Sequence, residues 1–552
     1  MEVADRQSRA VTSKSSRSGL FSPVTVVFVL SLVLMAFSIF WVARYRPFNS
    51  DDLYWQQAIR TWKPFGGHLF YFGTKDIFVI LAPFFAVTER LFNPSRRLMV
   101  AETMFLTLGT FTLFYFSSLY FLRKLLIRAT YVTLLPFAWL ASFGYPLVQN
   151  YLNTDWRTYG IGFSFATFAL VAAVTNGDLE PLESWWGRLA TALAVVLTGV
   201  LMYSDPYYTY FTVGPLVIFG AALLWWKKIG RGQFAFIYAS IAASYVVSKI
   251  VAIVCMKAGI HIVGATPSIF VGWESLVSNI LSSLHGMFDI FQANFLGHKV
   301  TSTVTAGYIL NAVLLIFILW QLFTYFWMLK RAQAVKADLP RLWAGFFVLT
   351  MVLIFLVYTS STLAADSNNF RFYIEFVYCA ATLFAIALGL MGKQGRAVFG
   401  GLLIVATLAN LAFLVLDTKF TPGEIVSNRA NKWNFAVIDA VEAQGMTKGY
   451  TGYWDGNINT YLSDEKVTFL PTLCAPDGVT AHFRWLIDGG QFDKPASKSF
   501  YMINPDFAAP GLCPQSQLDA QFGPPQSEMM LGNKLLLFYN YDIGSRMRTE
   551  QY

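Results

Sequence analysis

From residue 21 to residue 416 the chain is a succession of apolar runs of about 20 residues, each long enough as a helix to cross a hydrocarbon layer of about 30 Å. Within a bilayer the backbone must satisfy its own hydrogen bonds, which confines such a pattern to a bundle of membrane-spanning helices. Composition agrees: 13% of the 552 residues are charged and 55% hydrophobic, whereas a soluble domain has roughly a quarter of its residues charged. The net charge of +9 would suggest nucleic acid in a soluble protein. Here the basic residues fall in short clusters between apolar runs, where they report topology, and no nucleic-acid partner is expected.

Arg6, Arg9, Lys14 and Arg17 precede the first run, residues 21–43. That run is longer than a signal-peptide core, and Ala43-Arg44-Tyr45-Arg46 is a poor cleavage site, so a retained span with a cytoplasmic start is expected. The parity of the chain then depends on residues 76–92, a short apolar segment with Pro83 and Glu89. If it crossed, Arg123, Lys124, Arg128, Lys227, Lys228, Arg231, Lys330, Arg331, Lys336, Arg341, Lys393 and Arg396 would all lie outside. If it stays in the outer leaflet, all of them lie in the cytoplasm, as the positive-inside bias requires. The spans then run over 21–43, 98–122, 129–148, 159–176, 188–204, 209–226, 234–256, 307–329, 342–364, 373–391 and 397–416, about eleven crossings.

Residues 417–552 are mixed in composition, with a helix expected over 433–444 and strands over 467–470, 500–503 and 535–541. The expected architecture is an all-α polytopic bundle over 1–416 followed by an extracytoplasmic α/β domain over 417–552. Residues 272–295 read as an amphipathic helix, either lying on the outer interface or simply packed over the bundle, with Trp273, Leu276, Ile280, Leu284, Phe288, Phe291 and Phe295 on its apolar side and Asn279, His285 and Asp289 opposite. Cys255 and Cys379 fall in spans. Cys474 and Cys513 would pair if the C-terminal domain meets an oxidising compartment.

Candidate chemistry lies in the outer loops. Asp51 and Asp52 follow Asn49 and Ser50, either of which can cap the next helix, so both carboxylates sit in a first turn where the helix dipole keeps them ionised. Such a carboxylate can take a proton from an acceptor hydroxyl; it can equally be plain charge decoration of a helix end. Asp155, with Arg157, occupies the loop after the third span, where a surface ion pair is the simpler alternative. Lys75, at the start of the shallow segment, and Arg371, at another outer span end, can meet a lipid phosphate or simply snorkel to headgroups. Lys249, inside the seventh span, is costly there and expected to face a cavity or partner. The five histidines show no metal-ligand spacing, so no cofactor is expected and a divalent metal, though possible, has no support in the sequence, and no nucleotide-binding loop is present.

An acidic pair just outside the first span, a lysine opening a shallow segment and a Thr-Asp pair after the third span resemble the type C membrane glycosyltransferases (GT-C). The bacterial lipid A aminoarabinose transferases and protein O-mannosyltransferases are the relevant relatives. The resemblance covers about residues 21–205 in motif order. It implies an enzyme of a bacterial inner membrane that moves a sugar from a polyprenyl-phosphate donor to a glycan, lipid or protein acceptor outside, with inversion. Asp51 would be the base, with Asp52 and Asp155 shaping the acceptor site. Lys75, Arg371, Lys249 and Arg157 would receive the donor phosphate. The chain departs from the pattern in having Asp52 where several relatives have Glu, and Asp76-Ile77 after Lys75 where aminoarabinose transferases have a proline pair. A transporter or flippase, or an O-antigen ligase or polymerase, are the alternatives for a chain acting on lipid-linked sugars.

Overall fold

The computed structural model describes residues 22–45, 48, 50–72, 79–144, 147, 158–179, 185–262, 269–299, 301–365, 372–416, 431–503 and 511–549. Among the described residues eight helices are long and apolar enough to span a membrane: α1 (Pro23–Tyr45), α4 (Arg96–Lys124), α7 (Trp185–Ser204), α8 (Pro206–Trp225), α9 (Arg231–Lys257), α11 (Thr303–Met328), α12 (Leu339–Thr359) and α14 (Lys393–Leu416). Three shorter apolar helices complete the bundle: α5 (Tyr131–Ala141), α6 (Thr158–Thr175) and α13 (Ile374–Leu390). These eleven correspond one to one with the eleven expected spans.

Local chemistry sets several helix starts. Ser95 caps α4 by accepting from Leu98 N at 3.1 Å, Thr130 and Thr133 form a capping box before α5, and Asp338 accepts from Arg341 N at 3.1 Å. α5 ends at Ala141 and residues 142–144 are not helical, while residues 145, 146 and 148 of the expected third span lie outside the described residues. α13 is buried on every side from Ile374 to Leu388 and forms the axis of the bundle, as an all-round apolar helix must. Aromatic rings fill the space around it, Tyr378 meeting Phe114 at 4.6 Å and Phe384 meeting Phe317 at 5.1 Å.

The stretch between the first two spans holds two short helices, α2 (Tyr54–Thr61) and α3 (Ala82–Leu91), among its described residues, the latter entered through a single 3-10 turn at Val79–Leu81. Ten residues of α-helix rise about 15 Å, half a hydrocarbon thickness, so α3 is too short to cross. The helix α10 (Trp273–Ile290) corrects an expectation. Its bundle-facing side includes Asn279, Ser283 and Gly286, whereas Trp273, Val277 and Leu281 are exposed, Trp273 by 85%. The cause is Asn279, whose amide donates to Thr359 O and Ser361 O, both at 3.0 Å. It thereby satisfies carbonyls that the end of α12 leaves open.

The C-terminal region folds around a seven-stranded mixed sheet in the order β10-β5-β4-β3-β7-β9-β8, with β3 (Lys448–Thr451), β4 (Thr468–Cys474), β5 (Thr480–His482), β7 (Ser499–Ile503), β8 (Ser527–Leu531), β9 (Lys534–Tyr539) and β10 (Arg548–Thr549). Helices α15 (Lys432–Ala443), α16 (Tyr453–Leu462) and α17 (Gln515–Phe522) accompany it, and Cys474 is bonded to Cys513. A second sheet ties this region to the bundle. β1 (Phe70–Phe72) of the first loop pairs in parallel with β2 (Ile260–Ile262), just beyond α9, and antiparallel with β6 (Ile487–Asp488). The C-terminal region therefore caps one end of the bundle. Arg123, Lys124 and Lys228 lie at other helix ends, where Lys124 pairs with Asp178 and Lys228 donates to Val335 O and Ala337 O.

Candidate active site

The turn Ser50–Leu53 carries Asp51 and Asp52 and is pinned from the C-terminal side: Ser50 Oγ donates to Tyr453 O at 2.5 Å, while Phe48 and Asn431 exchange bonds of 3.1 and 2.8 Å. The Asp52 side chain is fully buried. One apolar cluster then joins Trp55 of α2, Phe72 of β1, Leu81 ahead of α3 and Tyr159 near the start of α6. These four residues follow or flank the three segments singled out in the sequence. Lys75, Asp155, Arg157 and Arg371 lie outside the described residues, as does the Asp51 side chain. Lys249 is exposed on α9 with its ammonium 4.8 Å from the Tyr245 ring.

A polar network beneath this cluster was not singled out in the sequence. Arg60 Nε donates to Glu89 Oε2 at 2.6 Å, and Tyr461 of α16 donates to Glu89 Oε1 at 2.9 Å. Glu102 of α4 accepts from Gln56 Nε2 at 2.9 Å and from Thr88 at 2.5 Å. Burial holds the Glu89 carboxyl above the usual carboxylate range against the opposing pull of Arg60. Burial also raises the Tyr461 phenol, helped by the charges of Glu89 and Glu102. The network links α2, which begins beside Asp52, to α3, α4 and the C-terminal region.

A second acidic pair faces a very small cavity of about 10 Å³ lined by Gly160, Ser164, Asp205, Tyr208, Ile374 and Glu375. Asp205 caps α8, accepting from Tyr207 N at 2.8 Å, and Glu375 Oε1 accepts from Thr212 at 3.3 Å. This cavity lies at the capped end, because Ser204 Oγ accepts from Val79 N at 3.2 Å ahead of α3. The signal for Glu102 and Glu375 was present in the sequence: each is an acidic residue inside an apolar span, where a charge is expensive. Deeper in the bundle a cavity of about 70 Å³ opens between α6, α7, α8 and α9, lined almost wholly by apolar side chains such as Leu170, Val195, Leu216 and Ile237. Thr167 lines it too and bonds the Tyr208 hydroxyl at 2.9 Å, so Tyr208 stands between the apolar and acidic cavities.

Among the described residues no group of three or more His, Cys, Asp or Glu side chains is placed to hold a metal ion. No family model matches the chain, and no curated protein sequence matches it. Among solved structures the chain is similar to the oligosaccharyltransferase of Archaeoglobus fulgidus, crystallised with zinc and sulfate, at 13% identity and a TM-score of 0.43. The likeness covers 81% of this chain and 62% of that one, so the chain spans less than two thirds of that protein's length. The protein is a polytopic membrane protein whose first loop and C-terminal region meet over buried carboxylates.

Proposed function

We propose that the chain is a GT-C-like glycosyltransferase that moves a sugar from a polyprenyl-phosphate donor to a glycan, lipid or protein acceptor at the extracytoplasmic face of a bacterial inner membrane. The observation that carries this reading is the single apolar cluster of Trp55, Phe72, Leu81 and Tyr159. It draws the surroundings of Asp51-Asp52, of the segment containing Lys75 and of the loop containing Asp155 to one end of the bundle. Asp51 acts as the base that takes the acceptor proton, with Asp52 and Asp155 shaping the acceptor site. Lys75, Arg371 and Arg157 stabilise the charge that develops on the departing lipid phosphate. The apolar cavity between α6 and α9 has the polarity to hold part of the prenyl chain.

The test is transfer from a radiolabelled polyprenyl-phosphate sugar in proteoliposomes. Asp51→Asn should lower turnover about 100-fold or more, the usual loss for a positioned general base. Equal turnover by the variant would remove Asp51 from the mechanism.

A further inference from the structure

The end of the bundle remote from the C-terminal region holds a groove that the proposed reaction does not use. α4 has 29 residues and is therefore about 43 Å long. Its start lies against the first loop, where the Arg96 guanidinium stands 5.3 Å from the Phe48 ring, so its last turn reaches the far end. There a groove of about 640 Å³ opens between that turn, the start of α1 at Val24 and the link into α5 at Ile127 and Ala129. Leu119 and Leu126 supply more of its wall, and among the described residues Arg123 is the one charged side chain that lines it. Several hundred Å³ enclosed by mainly apolar walls, with few polar groups to orient what enters, is the usual form of a ligand site.

Two features select the occupant. The rim carries surplus positive charge: Asp178 is held by Lys124 and by the Tyr120 hydroxyl, the latter at 2.6 Å. Arg123 adds to the field at Asp178, yet neither it nor Arg128 makes an ion pair among the described residues, and both are exposed. Arg128 follows Ile127 and precedes Ala129, two residues of the wall. Beside these arginines Leu126 is 92% exposed and held at φ 54, a left-handed conformation that glycine ordinarily supplies at a helix end. A large apolar side chain displayed in this way suits acyl chains and suits water poorly. Because α4 outruns a hydrocarbon layer of about 30 Å, its last residues stand at headgroup depth. A soluble anion would leave the apolar wall uncovered, and a zwitterionic lipid would bring a cation towards the arginines together with its phosphate. An acyl chain in the groove with an anionic headgroup on Arg123 and Arg128 satisfies both wall and rim. We propose that this groove is a binding site for an anionic diacyl phospholipid of the leaflet opposite the C-terminal region. The site is independent of the glycosyltransferase reading.

The test measures the thermal midpoint of the detergent-solubilised full chain with dioleoyl phosphatidylglycerol, with dioleoyl phosphatidylcholine and with glycerol phosphate. Phosphatidylglycerol should raise the midpoint by about 2 °C or more beyond phosphatidylcholine, and glycerol phosphate should leave it unmoved. Replacing both arginines, Arg123→Gln with Arg128→Gln, should abolish the difference between the two lipids. Ala129→Phe fills the groove without changing its charge and should abolish the difference as well; Leu119→Phe carries the same comparison should Ala129→Phe not fold. A difference that survives either the loss of the arginines or the filling of the groove overturns the site. Equal stabilisation by both lipids also overturns it, since the arginines then only snorkel to headgroups. A shift reproduced by glycerol phosphate would assign the rim to a soluble anion, and no shift with any probe would leave the groove to residues 1–21 of the chain itself; either result refutes a lipid site.

Discussion

Tyr461 and Glu89 show how a single hydroxyl joins the C-terminal region to the first loop. Tyr461 is fully buried and donates to a carboxylate already paired with Arg60. Tyr461→Phe removes one bond to a charged group and should lower the unfolding free energy by about 1.5 to 3 kcal/mol, read as a fall in the thermal midpoint in detergent. His482 supplies a pH effect from the same region. Its ring is buried against Phe492 at 4.4 Å, and neither nitrogen has a partner among the described residues. Burial, with Arg484 and Lys448 nearby, lowers its pKa from 6.5 to about 4, against the weaker pull of Asp493 and Asp542. The unfolded chain therefore binds a proton that the folded chain refuses between pH 6.5 and 4. Stability is complete above pH 6.5 and falls by about 3 kcal/mol as pH drops to 4. His482→Phe should flatten that part of a melting-versus-pH curve, and an unchanged slope would assign the titration elsewhere. Asp51 and Asp52 stood out in the sequence because they follow an apolar run, and of the two the structure describes only the buried Asp52 side chain. Glu89, Gln56 and Tyr461 did not, since only folding brings residues 56, 89, 102 and 461 together.

At the scale of elements, the spans were legible because hydropathy alone defines them, and the short α3 because its apolar run is brief, with Pro83 in the first turn, where a helix tolerates it. The orientation of α10 was not, because periodicity separates two faces without saying which one meets the bundle. Asn279 decides the matter by bonding the end of α12. Helix pairing was equally hidden, and Gly199 is the clearest case. A Cβ there would lie 2.6 Å from Ser244 O and 2.6 Å from Val247 Cβ on α9. Small residues let membrane helices approach this closely. Gly199→Ala should cost about 1 to 3 kcal/mol through overpacking of α7 on α9, despite the better helix propensity of alanine. Gly401 of α14 has no atom within 4 Å of an added Cβ, so Gly401→Ala should instead stabilise by about 0.5 to 1 kcal/mol. Unfolding midpoints of the two variants in one detergent should move in opposite directions, and a shared direction would refute the packing argument.

For the whole molecule, the two ends of the bundle differ in chemistry. One end carries the C-terminal region with its Cys474 to Cys513 bond, a link that persists in oxidising compartments. Arg123, Lys124 and Lys228 lie at other helix ends, and the bias of basic residues assigns such ends to the cytoplasm. Both properties fit the orientation proposed above, with the C-terminal region outside. The native cysteines allow a direct test, because Cys255 and Cys379 are buried and the other two are bonded to each other. Asn533 is exposed in the turn between β8 and β9, and Leu126, 92% exposed, follows α4. Asn533→Cys should react with a membrane-impermeant maleimide in intact cells, or in spheroplasts where an outer envelope intervenes. Leu126→Cys should react only after the membrane is permeabilised. The reverse pattern would turn the molecule over and place Asp51 in the cytoplasm; labelling of both without permeabilisation would mean that residues 126 and 533 share a face, which contradicts the nine crossings expected between them.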